Sequence, residues 1–140
     1  MNLRRDKMRV KMEYDLRGVI LQLCPFPYDI LPFSQRILAR GPRRSGKTTY
    51  CKKALDELIK NGYDVALMCR NWREIEDGYS EYNGKPHVIL CTENGNLRGR
   101  YFDAVILDEV GYTEERENTL QHCLRYSVLS PPLALQVGTI

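Results

Sequence analysis

From residue 34 onward the chain alternates short apolar runs with stretches of helical periodicity, the order expected of β-α units built around a parallel sheet. Arg36-Ile37-Leu38-Ala39 reads as a strand that runs straight into a glycine-rich turn. Lys47 to Lys60 then places Cys51, Ala54, Leu55, Leu58 and Ile59 on one helical face, and Asn61-Gly62 is its stop signal. The run from Asp64 to Cys69 predicts a second strand, and the polar stretch from Trp72 to Tyr82 a short helix broken at Gly78. His87 to Cys91 is a third apolar run. After the turn-rich segment Glu93 to Gly99, Phe102 to Leu107 predicts a buried strand ending in Asp108-Glu109. Thr113 caps a helix with Glu114 and Glu115 in its first turn, and Leu120, Cys123, Leu124 and Val128 form its inward stripe. Pro131-Pro132 ends that helix, and Leu133 to Thr139 is the last strand. In residues 1–33, Val10, Met12, Tyr14 and Leu16 alternate like a half-exposed strand, while Pro25, Pro27 and Pro32 mark a connector. The layout is α/β, a parallel sheet flanked by helices in three layers. Residues 1–33 read as an N-terminal basic segment and connector, and residues 34–140 as one domain.

Composition narrows the picture. With 140 residues, 43% of them hydrophobic, the chain can bury one core and has little room for a second. A net charge of +3 creates no global field that demands nucleic acid. Arg4, Arg5, Lys7, Arg9 and Lys11 make the N-terminus locally basic, first as a solvated tail or a strand with charged outward positions and second as an arm that could grip phosphates. The five cysteines are widely spaced among apolar neighbours, with no C-x-x-C and only two histidines in the chain, so they read as reduced core residues and not as zinc ligands. No apolar run approaches the roughly 20 residues that span a bilayer. The expected location is the cytoplasm, that of the host if the chain is viral.

The chemistry concentrates at two places. Gly41 and Gly46 bracket four residues, and Lys47-Thr48 follow at the start of the helix, so backbone N–H groups and the helix N-terminus converge on an anion. Gly41, Pro42, Arg43, Arg44, Ser45, Gly46, Lys47, Thr48 and Thr49 are therefore the expected nucleotide-binding residues. Lys47 reaches the β- and γ-phosphates as a point charge, and the Thr48 hydroxyl is a ligand for Mg²⁺. Asp108, at the C-terminal end of an apolar strand, is the second expected metal residue. Glu109 directly after it is placed to orient or deprotonate an attacking water. Arg43 and Arg44 stay open between stabilising charge on a transferring phosphoryl group and pairing with surface acids. Thr139 is either a contact for the γ-phosphate or catalytic water, or simply a strand-end hydroxyl. No guanine-reading Asn/Thr-Lys-x-Asp signature is present, which tilts the nucleotide to ATP.

Residues 41–48, Leu97-Arg98-Gly99, Asp103 to Glu109 and Gly138-Thr139 together resemble the ATPase domain of large terminase subunits, the DNA-packaging motors of tailed phages. The resemblance covers about residues 34–140 and implies a RecA-like, additional-strand P-loop NTPase that hydrolyses ATP with Mg²⁺. It assigns Lys47 and Thr48 to phosphate and metal, Asp108 to Mg²⁺, Glu109 as catalytic carboxylate, Arg43 as trigger and Thr139 as coupling residue. Double-stranded DNA and a homo-oligomeric ring, or other motor subunits, are the partners it implies. It also implies that Leu133 to Val137 lies parallel between the strands at 36–39 and 104–107, bringing Thr139 beside Glu109. The chain departs from the family in carrying Ile140 where proline is frequent and in containing neither a lid nor a nuclease domain. It is thus expected to be a truncated chain, a split-gene product or a small relative.

Two other readings stand beside this one. A helicase-like DNA or RNA motor fragment shares the Asp-Glu strand, although such helicases usually follow the acids with Ala/Cys-His or Gln, where this chain has Val110-Gly111. A nucleotide-dependent binding module with little turnover is the third.

Overall fold

The computed structural model describes residues 16–31 and 36–140. In chain order the elements are α1 (Leu16–Leu23), β1 (Tyr28–Leu31), β2 (Arg36–Gly41), α2 (Lys47–Lys60), β3 (Val65–Cys69), α3 (Trp72–Tyr79), a 3₁₀ turn (Ser80–Tyr82), β4 (Val88–Thr92), β5 (Ala104–Asp108), α4 (Glu114–Leu124) and β6 (Leu133–Thr139). The strands form one six-stranded sheet in the order β1-β2-β6-β5-β3-β4, parallel except for β1, which pairs antiparallel with β2. Every residue of β3 and β5 is buried, as expected for central strands covered on both faces.

Successive residues of a strand point to opposite faces, and the two cores sort accordingly. On one face Ile37, Val65, Leu67, Ala104, Ile106, Leu133 and Leu135 pack against α1, α2 and α3. On the other, Ala66, Met68, Val105, Leu107 and Ala134 pack against Leu120, Cys123 and Leu124 of α4. This is a three-layer α/β sandwich of the P-loop NTPase type. The last strand, β6, is inserted between β2 and β5, with Arg36 opposite Ala134 on one side and Ala104 opposite Leu133 on the other. The 36–39 and 104–107 strands are therefore not neighbours, as expected for an additional-strand sheet.

Three local readings are corrected. The segment read as a connector contributes α1 and β1 to the fold. Leu16 does not close an alternating strand but opens a helix, because Leu16 and Ile20 lie one turn apart and both are buried. Val10, Met12, Tyr14 and the basic cluster Arg4 to Lys11 lie outside the described residues. Second, α3 runs through Gly78 to Tyr79; a Cβ on Gly78 would sit 3.4 Å from Thr48 Cγ2, so the missing side chain brings α3 close to α2. Third, α4 ends at Leu124 and not at the prolines. A buried acid competes for the chain there: Asp103 Oδ1 accepts the Val128 N–H at 3.2 Å, and Ser127 Oγ donates to the Asp103 carbonyl at 2.7 Å. Val128 is buried as expected, but from a loop.

Thr113 caps α4 as its sequence position predicts, with Oγ1 accepting the Arg116 N–H at 3.1 Å. Thr113→Ala is expected to lower folding stability by about 1 kcal/mol, measured by urea denaturation with an unchanged slope. Arg36 ties three elements together: it is only 5% exposed, pairs with Glu117 of α4, and donates to Gln136 Oε1 of β6 at 3.0 Å. Among the described residues no helix is long and apolar enough to cross a membrane.

Candidate nucleotide-binding and hydrolysis site

β2 ends at Gly41, and the chain turns through Pro42 to Ser45 into Gly46, whose φ of 92° is left-handed backbone that suits glycine. Helix α2 starts at once, with no side chain capping it. The first-turn N–H groups are thus left for an outside acceptor, and the dipole favours an anion. Gly41 is needed for a different reason: a Cβ there would lie 2.7 Å from Phe26 Cδ1 and 2.8 Å from Ser45 Oγ. The loop is also braced from within, since Ser45 Oγ donates to the Pro42 carbonyl and Lys47 Nζ donates to the same oxygen at 2.8 Å. That contact holds the ammonium over the loop mouth.

The acids arrive from β5. Asp108, at its C-terminal end, is 8% exposed, and its Oδ2 accepts the Tyr79 hydroxyl at 2.5 Å. Burial raises the carboxyl above the usual carboxylate range, and the Tyr79 hydrogen bond opposes that shift. Glu109 follows with φ 62°, a left-handed conformation that a non-glycine residue adopts only where its surroundings hold it. Its N–H donates to the Val137 carbonyl at 2.8 Å, its carboxylate accepts the Thr139 hydroxyl, and Lys47 Nζ lies 4.0 Å from Oε1. The register explains the meeting. On β6, Val137 pairs with Asp108 and Thr139 pairs with Gly41, so the inserted strand spans from the acids to the loop.

The residues present fit ATP and Mg²⁺. The Thr48 hydroxyl and the Asp108 carboxylate are hard oxygen groups of the kind that would hold Mg²⁺ together with a nucleotide. Two adjacent residues of α3 lie against both of them, Gly78 against Thr48 and Tyr79 against Asp108. Tyr79 is a site residue that sequence reasoning missed. With Ile75 it makes an i,i+4 core pair, and only the need of a buried hydroxyl for a partner signals more. Arg70, which follows β3, pairs with Glu74 at 2.6 Å, the contact that most raises its pKa. Arg43, Arg44, Thr48 and Thr49 are exposed, and Arg44 takes a φ of 59°. Beneath the loop, Cys51 is fully buried and its thiol is pushed well up by burial and then by Asp108, so it stays protonated.

Tyr79→Phe is expected to weaken Mg²⁺-nucleotide binding about 10-fold while leaving metal-free nucleotide binding nearly unchanged, since partners of metal ligands commonly carry that much. Isothermal titration with and without Mg²⁺ checks it.

The AAA domain family matches residues 34–131, from the approach to β2 through the loop before β6. No curated protein matches the chain. Together with the inserted-strand sheet and the phosphate loop, the match shows that the chain belongs to the AAA domain family, a P-loop NTPase family of nucleotide-dependent ATPase type.

Proposed function

We propose that the protein is a Mg²⁺-dependent ATPase whose turnover drives movement on double-stranded DNA. The observation that carries the hydrolytic part is the position of the Glu109 carboxylate, bonded by Thr139 from the inserted strand and 4.0 Å from Lys47. The Lys47 ammonium and the uncapped start of α2 bind the β- and γ-phosphates. Mg²⁺, when bound with the nucleotide, neutralises charge on those phosphates, and Thr48 and Asp108 are the residues that would hold it. Thr139 fixes one oxygen of Glu109, leaving the carboxylate oriented to take a proton from the attacking water. Its strand runs beside β2 and β5 and joins, through Gln136 and Arg36, to Glu117 on α4. A change at the γ-phosphate thus has a polar route to the far face of the sheet.

The DNA part rests on the terminase-like motifs, above all the paired arginines of the phosphate loop and Gly138-Thr139 on β6. Exposed Arg43 and Arg44 suit a ring in which sites meet at subunit boundaries, with Arg43 as trigger. The competing reading is a binding module in which nucleotide is held with little turnover. Steady-state phosphate release with and without duplex DNA separates the readings. Release that rises several-fold with duplex supports the motor. Release indifferent to duplex overturns the DNA part, and no release under either condition overturns the ATPase.

A further inference from the structure

A second charged surface lies at the opposite end of β5 from Asp108. All strands from β2 onward point their C-terminal ends toward the phosphate loop, whereas Arg98, Arg100 and Tyr101 lead into the N-terminal end of β5. Arg125 and Tyr126 follow the C-terminal end of α4, whose 11 residues run back from the acidic end of β5 over about 16 Å. The two segments enclose a cleft of about 480 Å³, lined by Arg98, Arg100, Tyr101, His122 and Arg125 among others, with Glu115 its one acidic lining residue. Arg98 and Arg100 make no ion pair among the described residues, and both are exposed.

Tyr101, which lines the cleft, packs against Tyr126 just outside it. The Tyr101 and Tyr126 rings lie 5.0 Å apart and remain 44% and 51% exposed. The Arg125 guanidinium sits 5.4 Å from one ring centre and 4.7 Å from the other, and it donates to the Tyr101 hydroxyl at 3.0 Å. The Arg125 contacts thereby join the two rings, which are tilted 57° to each other. Two exposed tyrosine rings side by side offer open faces for stacking, and the basic residues around them favour an anion.

We propose that this cleft binds a single-stranded nucleic acid segment, with unpaired bases stacking on Tyr101 and Tyr126 and phosphates meeting Arg98, Arg100 and Arg125. An unpaired strand is the polyanion that offers open base faces at the spacing of its charges; a duplex hides those faces, and an acidic peptide has none. The inference goes beyond the ATPase reading and does not depend on it, because nothing in the cleft belongs to the nucleotide site.

The test is fluorescence anisotropy of a labelled 20-nucleotide oligothymidine without ATP. Its affinity is expected to fall with salt at a log–log slope of about −2, for three phosphates met by three arginines. Tyr126→Ala is expected to weaken binding roughly 10-fold and Tyr126→Phe to retain it, since the ring face and not the hydroxyl carries the contact. Arg98→Ala combined with Arg100→Ala is expected to flatten the salt slope. Phosphate release without nucleic acid should be unchanged in all these variants, which keeps failure here separate from failure of the ATPase reading. Equal affinity in Tyr126→Ala and the unmodified protein overturns the proposal. So does tighter binding of a 20-base-pair duplex or a polyglutamate peptide than of the oligothymidine.

Discussion

Lys47→Ala is expected to weaken ATP binding by at least 100-fold. The ammonium is the one side-chain cation held over the loop mouth by a contact within the described residues, on the Pro42 carbonyl at 2.8 Å. Without it the β- and γ-phosphates would lose the lysine charge at the loop mouth. Losing charge-assisted bonds worth about 3 kcal/mol or more corresponds to that factor. The fold itself should hold, because Lys47 sits at the first position of α2, where its other neighbour, Glu109, is 4.0 Å away. Equilibrium binding of a fluorescent ATP analogue, alongside a circular-dichroism melt, checks both statements. Undiminished affinity in a folded variant would sink the assignment of the loop.

Glu109→Gln should separate binding from chemistry. Glutamine keeps the length of the side chain and an oxygen that accepts the Thr139 hydroxyl, so the bend at φ 62° and the β6 contact are retained. What disappears is the basic oxygen that accepts a proton from water. A positioned general base commonly contributes 10²–10⁴-fold, so hydrolysis is expected to slow by about 100-fold or more with ATP affinity little changed. A variant that turns over at the parent rate would show that the base lies elsewhere.

The parts of this site that were legible in the sequence are those written in local signals. Gly41 and Gly46 punctuate the loop, the apolar period after Lys47 marks α2 to its observed ends, and an unbroken apolar run delivers Asp108 and Glu109 to a strand end. The slot of β6 followed from the resemblance and from there being one strand left to fill it. What escaped is carried by partners far apart in the chain. Tyr79 reaches Asp108 across 29 positions, and Asp103 stops α4 by taking the Val128 N–H from 25 positions away. Neither leaves a mark in its own neighbourhood beyond looking like core. The helix α1 was hidden because Leu16, the first of its two buried residues, closes the alternation read at Val10, Met12 and Tyr14. Arg36, read as an ordinary strand residue, is a buried cation that only the Glu117 and Gln136 partners make intelligible.

One site, built from the phosphate loop, Asp108 and Glu109, is proposed to hydrolyse ATP with Mg²⁺. Phosphate release from ATP by the unmodified protein, followed first with Mg²⁺ and then after chelation, tests it most directly. Steady release with the metal and its loss on chelation are expected. Release that continues undiminished without Mg²⁺, or no release with it, would show that this site is not a Mg²⁺-dependent ATPase.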